Sequence, residues 1–179
     1  MDDEFIAHRR ESDKQVQTVC THLNEVSSIC SRLTGKIGLP AIGQMLGLLH
    51  DLGKYGHTFQ AYIKSSSGML NPDIDDEYVD AKGLKGKIDH STAGAQWVWQ
   101  KLARTGEQGR LIGQIMAVCL ASHHGGLIDC LRVDGKNGFQ DRICKEDAKT
   151  HLRECLKACE KSIVDTLTDL ASNHFLMDV

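Results

Sequence analysis

Apolar residues recur along this chain at helical spacing, and almost nowhere at the alternating spacing of strands. Val16, Val19, Leu23, Val26, Ile29, Cys30 and Leu33 share one stripe, predicting a helix over residues 12–33, with Ser12 and Gln15 placed as a capping box and His22 inside the stripe. Gly35 and Gly38 end it, and Pro40 suits the first turn of the next helix. That second helix, residues 40–55, is apolar around most of its circumference (Ile42, Met45, Leu46, Leu48, Leu49, Leu52), which predicts burial. Its remaining strip holds Gly43, Gly47, His50, Asp51 and Lys54 and therefore faces an internal site, with the glycines permitting another backbone or a ligand to approach closely.

Residues 65–89, rich in Gly, Ser, Asp and Lys and containing Pro72, predict a long loop with at most one helical turn. A third helix starts near Asp89 or Ser91 and runs to Ala103, with His90 at its beginning and Trp97 two turns on. A fourth, residues 110–122, delivers His123 and His124 before Gly125-Gly126 stops it. Residues 127–144 read as irregular, and residues 145–173 as one long amphipathic helix with Leu152, Cys155, Leu156, Cys159, Ile163, Leu167 and Leu170 inward. No strand can be placed. The expected fold is all-α, a helical bundle with a buried metal site between helices, forming a single domain over residues 1–179.

Composition narrows the class. A chain of 179 residues suits one well-cored domain, and 41% hydrophobic with 25% charged residues is ordinary for a globular protein. The acidic start, Met-Asp-Asp-Glu, argues against a secretion signal, and no apolar run approaches the ~20 residues that span a bilayer, so a cytoplasmic protein without membrane contact is expected. Seven cysteines, odd in number and without a C-x-x-C pair, read as reduced packing residues; Cys155 and Cys159 lie one turn apart on an apolar stripe. The net charge of −3 and the lack of a basic run mean that any hold on nucleic acid needs metals or a partner to supply positive charge.

Candidate chemistry centres on the adjacent pair His50-Asp51. A buried charge calls for a metal, a counter-charge or a ligand, and neutral imidazole with carboxylate is a donor set for divalent transition metals. His22, His90, His123 and His124 lie on or at the ends of other predicted helices, and with His50 and Asp51 they exceed what one tetrahedral site needs. Two ions fit that count, and two metals about 4 Å apart are the usual machinery for phosphoester hydrolysis. Lys54, one turn after His50, is placed to offset charge on a phosphate oxygen. Plainer readings stand beside these: His22 as a hydrogen-bonded core residue, His50-Asp51 as an ion pair bracing two helices, His123-His124 as a polar helix end, and Lys54 extended to solvent. His8 and His57 read as solvent-exposed more readily than cleft-lining, His151 and His174 as surface residues, and Trp97 and Trp99 as core.

In order along the chain, Ala7-His8, "THLNEV" around His22, "LLHDLGKYGHTFQAYI" from Leu48 to Ile63, "DHSTAGA" from Asp89 to Ala95 and "ASHHGGLID" from Ala121 to Asp129 resemble the HD phosphohydrolase superfamily. Within it the chain is similar to the HD nuclease of type I CRISPR systems, over roughly residues 5–130. The resemblance implies a metal-dependent nuclease degrading single-stranded DNA in antiviral interference, working with a superfamily-2 helicase and recruited by the RNA-guided surveillance complex. It implies one metal on His22, His50 and Asp51, a second on His90, His123 and His124, and supporting or phosphate contacts from Lys54 and Ser91. The imidazole-rich set points to manganese, iron, nickel or cobalt rather than magnesium.

The chain departs from the family at two points. The family's late aspartate ligand has no convincing equivalent, since the surroundings of Asp165 and Asp169 do not match, and the chain can stop short of that helix. No G-x-x-x-x-G-K-[ST] loop occurs, so any helicase is a separate protein or a lost fusion partner. Two other functions fit less well. A nucleotide or cyclic-nucleotide phosphohydrolase would carry acidic residues after His-Asp, or Gly-Tyr-Pro after the histidine doublet, where Leu52-Gly53-Lys54 and Gly125-Gly126-Leu127 stand. A weakly active docking module for a helicase would hold little metal.

Overall fold

The computed structural model describes residues 4–172. It opens on an antiparallel hairpin that the apolar pattern did not predict: β1 (Ile6–Arg9) pairs with β2 (Val16–Thr18), setting His8 opposite Gln17 and Arg9 opposite Val16. Residues 12–18 therefore belong to the hairpin and not to a helix. Asp13 accepts from Gln15 N–H at 3.2 Å, Lys14 takes a left-handed φ of 61°, and Arg10 N–H bonds Gln15 O at 2.8 Å, closing the turn. The helix α1 (Val19–Gly35) starts only after Thr18, whose hydroxyl accepts from Thr21 N–H at 3.1 Å.

Helix α2 (Pro40–Leu49) packs along α1. The predicted close approach is real and the approaching group is α1 backbone: a Cβ on Gly43 would stand 2.4 Å from Cys30 O, and one on Gly47 2.3 Å from Ser27 Cα. The helix ends earlier than the pattern suggested. Gly53 N–H turns away from the helical ladder to bond His90 O at 3.2 Å, and residues Leu52–Tyr55 wind into a single 3-10 turn. A Cβ on Gly53 would lie 2.3 Å from His90 O, so glycine is what lets the two segments meet.

Helix α3 (His57–Ser66) follows, then a stretch without regular structure up to residue 91, as the composition of that region predicts. Helices α4 (Thr92–Leu102) and α5 (Glu107–Ser122) form the second packed pair. The region predicted as irregular contains a short helix, α6 (Gly138–Ile143), started by the Asn137 side chain accepting from Gln140 N–H at 2.9 Å. The single helix predicted over residues 145–173 is instead three: α7 (Asp147–Thr150), α8 (Leu152–Ala158) and α9 (Lys161–Ser172). His151 breaks it with a left-handed φ of 55°, and Cys159 with an extended backbone. The inward stripe survives these breaks, because Leu152, Cys155, Cys159, Ile163 and Leu167 are all buried.

The core gathers Leu23, Met45, Leu49, Leu52, Tyr55, Val98, Leu102, Met116 and Leu120 between the two helix pairs, with Trp97 buried among them and Trp99 half-buried against Phe139. The all-α expectation holds apart from the hairpin. Among the described residues, no helix is long and apolar enough to cross a membrane.

Candidate metal centre

The packing brings the ends of separate elements to one place. His22 lies in the first turns of α1, His50 and Asp51 follow α2, Lys54 sits in the 3-10 turn, His90 precedes α4 and His123-His124 terminate α5. Asp51 is the hub, and it is only 3% exposed. Its Oδ2 lies 3.0 Å from His22 Nε2 and 3.2 Å from His50 Nε2, while the two imidazole nitrogens are 3.0 Å apart. Its other oxygen, Oδ1, lies 3.3 Å from His123 Nε2 and 3.6 Å from both His90 Nε2 and His124 Nε2. The last two nitrogens face each other at 2.6 Å.

These spacings are those of donors around cations. Ligands about 2.1 Å from a shared ion stand about 3 Å apart at right angles and about 3.4 Å apart tetrahedrally. The proton positions agree. Nδ1 of His50, His90 and His123 faces the carbonyls of Gly47, Ile88 and Leu120 at 2.8, 3.1 and 2.6 Å. A carbonyl only accepts, so each Nδ1 carries the hydrogen and each neutral ring aims an Nε2 lone pair inward, the usual support of a metal-ligating histidine. A cation between such converging lone pairs satisfies them together, and the donor set fits a divalent metal.

Electrostatics favour the ligating forms of Asp51, His90 and His124, while without a cation His123 is drawn toward its protonated form by Asp51. Burial alone would raise the Asp51 carboxyl, but hydrogen bonds from His123, His22 and His50 and the charge of Lys54 overcome it and hold the group far below the usual carboxylate range. Burial pushes His90 and His124 below the ordinary imidazole value. At His123 burial acts in the same sense, yet hydrogen bonds to Asp51 and the Leu120 carbonyl prevail and lift it.

Lys54 does not extend to solvent. It is 3% exposed, with Nζ 2.9 Å from Asp51 Oδ2, 3.3 Å from Ala7 O and 3.1 Å from His8 Nε2. His8 is exposed, as expected, and it also lines the cleft, the reading the sequence favoured less. It stands at the rim of the cluster, its ring centroid 4.7 Å from that of His22, and one of its nitrogens belongs with His22 and Asp51 in a second candidate donor group. Partial burial and then the Lys54 charge push its pKa down to about 4. The signal that could have found it is the hairpin, invisible in a sequence read for helices.

Other predicted positions fall outside the cluster. Ser91 is buried, but its hydroxyl turns to Asp89 Oδ1 at 3.4 Å. Asp165 and Asp169 are exposed on α9 and belong to neither donor group. His57 is exposed, His151 is half-buried with Nδ1 3.2 Å from Glu154, and His174 lies outside the described residues. Composition gave no hint of a further support. Asp89 accepts from Thr92 N–H at 3.1 Å and Thr92 hydroxyl at 2.7 Å, and pairs with Lys145 at 2.5 Å and Arg142 at 3.1 Å. Arg142 also donates to Ala121 O at 3.0 Å, so one guanidinium ties the residue before His90 to the helix end carrying His123 and His124. Burial opposes ionisation of Asp89, but its hydrogen bond with Lys145 leads a set that pushes it down to about 2.

With this geometry in place, the family described as "Cas3, HD domain" matches residues 16–176. The chain belongs to the Cas3 HD-domain family. That span contains all six residues around Asp51 and leaves His8 just outside it. Membership makes the chain a CRISPR-associated HD nuclease or phosphohydrolase in general terms, and family and His/Asp cluster together point to a divalent-metal site. Among curated proteins, no sequence matches it.

Proposed function

We propose that the chain hydrolyses phosphodiester bonds of single-stranded DNA in CRISPR interference, using two divalent ions of the manganese, iron, cobalt or nickel type. In this reading His22 and His50 would hold the first ion, His90, His123 and His124 would hold the second, and Asp51 would serve both. The observation that carries it is the division of labour on Asp51, whose Oδ2 meets one pair of imidazoles and whose Oδ1 meets the other three. When bound, such a pair supplies Lewis acidity toward phosphate oxygens and an attacking water.

The residues contribute what the ions cannot. Carbonyl-bound Nδ1 hydrogens hold three rings in the ligating tautomer. Lys54 keeps Asp51 anionic and fixed, so it would support the centre through that carboxylate. His8, His123 and His124 are exposed at the edge of the cluster, where a strand would approach it. The proposed partners are a superfamily-2 helicase, which would deliver that strand, and the RNA-guided surveillance complex.

The test compares wild type with Asp51→Ala after reconstitution with manganese or nickel, scoring degradation of circular single-stranded DNA and metal per chain. Wild type should bind two ions and cut the circle, and the variant should do neither. Equal cleavage by both proteins, or wild type taking up no metal, overturns the proposal.

A further inference from the structure

Beside the donor cluster opens a groove of about 760 Å3, walled by the hairpin turn on one side and by the end of α3 and the following loop on the other. His8 stands at its inner end, where its ring meets His22. Four cations line it, Arg9, Arg10, Lys14 and Lys85, against the carboxylate of Glu11 in the lining and that of Asp13, which pairs with Arg10. On a chain of net charge −3, that local excess is a departure from the average surface and marks an anion path.

The four cations divide by role. Arg9 is structural, its guanidinium bonding the Ser67 carbonyl and pinning the hairpin to the end of α3. Arg10 is pre-oriented by Asp13 at 2.8 Å. Lys14 sits at the hairpin tip with a φ of 61°, a backbone state that glycine or asparagine occupies more readily, so the turn holds a lysine there against its preference. Lys85 faces it from the 67–91 segment. Tyr62, half-buried, gives the groove an aromatic wall, and the ring contacts continue inward through Phe59 at 6.2 Å to His90 at a further 5.0 Å.

We propose that this groove is the binding track for the polynucleotide strand next to the scissile phosphate, with Arg10, Lys14 and Lys85 holding phosphates and Tyr62 stacking a base. Cations spread along a groove and an aromatic wall are how proteins hold single strands without reading sequence. The inference rests on the proposed nuclease reading for its purpose, and extends it to residues that touch no metal donor.

The test uses the whole chain and two readouts. Binding of a fluorescent twenty-nucleotide oligothymidylate is measured by anisotropy in chelator across a salt series, so catalysis is not required. Hydrolysis of bis(p-nitrophenyl) phosphate, too small to need the groove, is measured with metal. The double variant Lys14→Gln with Lys85→Gln should bind the strand about tenfold more weakly at low salt, and the log–log salt slope should fall by about 1.4, at about 0.7 per phosphate lost. Its small-substrate rate should equal wild type.

A control pair outside the groove lining, Lys157→Gln on α8 with Lys161→Gln on α9, removes the same charge and should leave the slope unchanged. The track is overturned by an unchanged slope in the groove variant, by an equal drop in the control, by no wild-type binding at low salt, or by a duplex binding as tightly as the single strand. Absence of small-substrate hydrolysis in wild type would instead sink the nuclease reading and leave the binding result standing.

Discussion

Lys54 Nζ lies 2.9 Å from Asp51 Oδ2, and each residue is only 3% exposed. The lysine thus sets an ammonium group against the carboxylate inside a cluster of imidazoles, and imidazoles ligate only when neutral. Replacing it with methionine removes the fixed counter-charge of a buried carboxylate. Lys54→Met should destabilise the metal-free protein by about 3 kcal/mol, and manganese should restore much of that by taking over the neutralising role. Urea denaturation with and without metal checks this, and equal losses in both conditions would refute it.

Gly47 is the point where α2 touches the backbone of α1. A Cβ there would stand 2.3 Å from Ser27 Cα, so Gly47→Ala must push the helices apart. The expected cost is about 3 kcal/mol, with weaker binding of the ion assigned to His22 and His50, because those rings ride on the two separated helices. Denaturation midpoints and a metal titration should move together. A stable variant with wild-type metal affinity would show that the contact is unimportant.

Arg142 bridges the neighbourhoods of His90 and His123 through Asp89 and the Ala121 carbonyl. Arg142→Met should weaken one of the two proposed ions by about 10–100-fold and spare the other, as loss of a supporting contact does elsewhere. Calorimetric titration would then resolve two unequal sites, and Arg142→Lys should recover part of the difference. Uniform weakening of both ions would mean a general loss of fold.

Asp89 also sets a pH dependence. Its pKa falls from 3.8 to about 2 on folding, so the stability it contributes is complete above about pH 4 and is lost as pH drops toward 2. The stability gap between wild type and Asp89→Asn should be flat from pH 7 to 4 and narrow below that. A gap that narrows as pH rises would contradict the ion pairing.

The thiols sort by burial. Cys155 and Cys159 are pushed up to about 12 by burial, whereas Cys119 and Cys144 are exposed. Alkylation at pH 8 should modify Cys119 and Cys144 in the folded protein and reach Cys155 and Cys159 only on unfolding, as peptide mapping would show.

Much of this centre was readable in the sequence because its residues are punctuation. His50, His90 and the His123-His124 doublet stand at helix ends, which Gly and Pro mark, and the all-round apolar pattern of Ile42 to Leu52 announced a buried helix with one polar strip. The hairpin was not readable, because Val16 and Val19 fit a helical stripe as well as a strand, and the turn chemistry of Asp13 and Lys14 decided between them. The break at His151 left the apolar stripe intact and so gave no signal. His8 and Arg142 depend on long-range pairing, which spacing does not encode.

The family match begins at Val16, after the strand that supplies Ala7 O and His8 to Lys54. A protein trimmed to the matched span would keep His22, His50, His90, His123 and His124 around Asp51 yet lose two of the contacts that hold the Lys54 ammonium group. An inactive preparation made that way would report on the missing strand, not on the chemistry of the histidines.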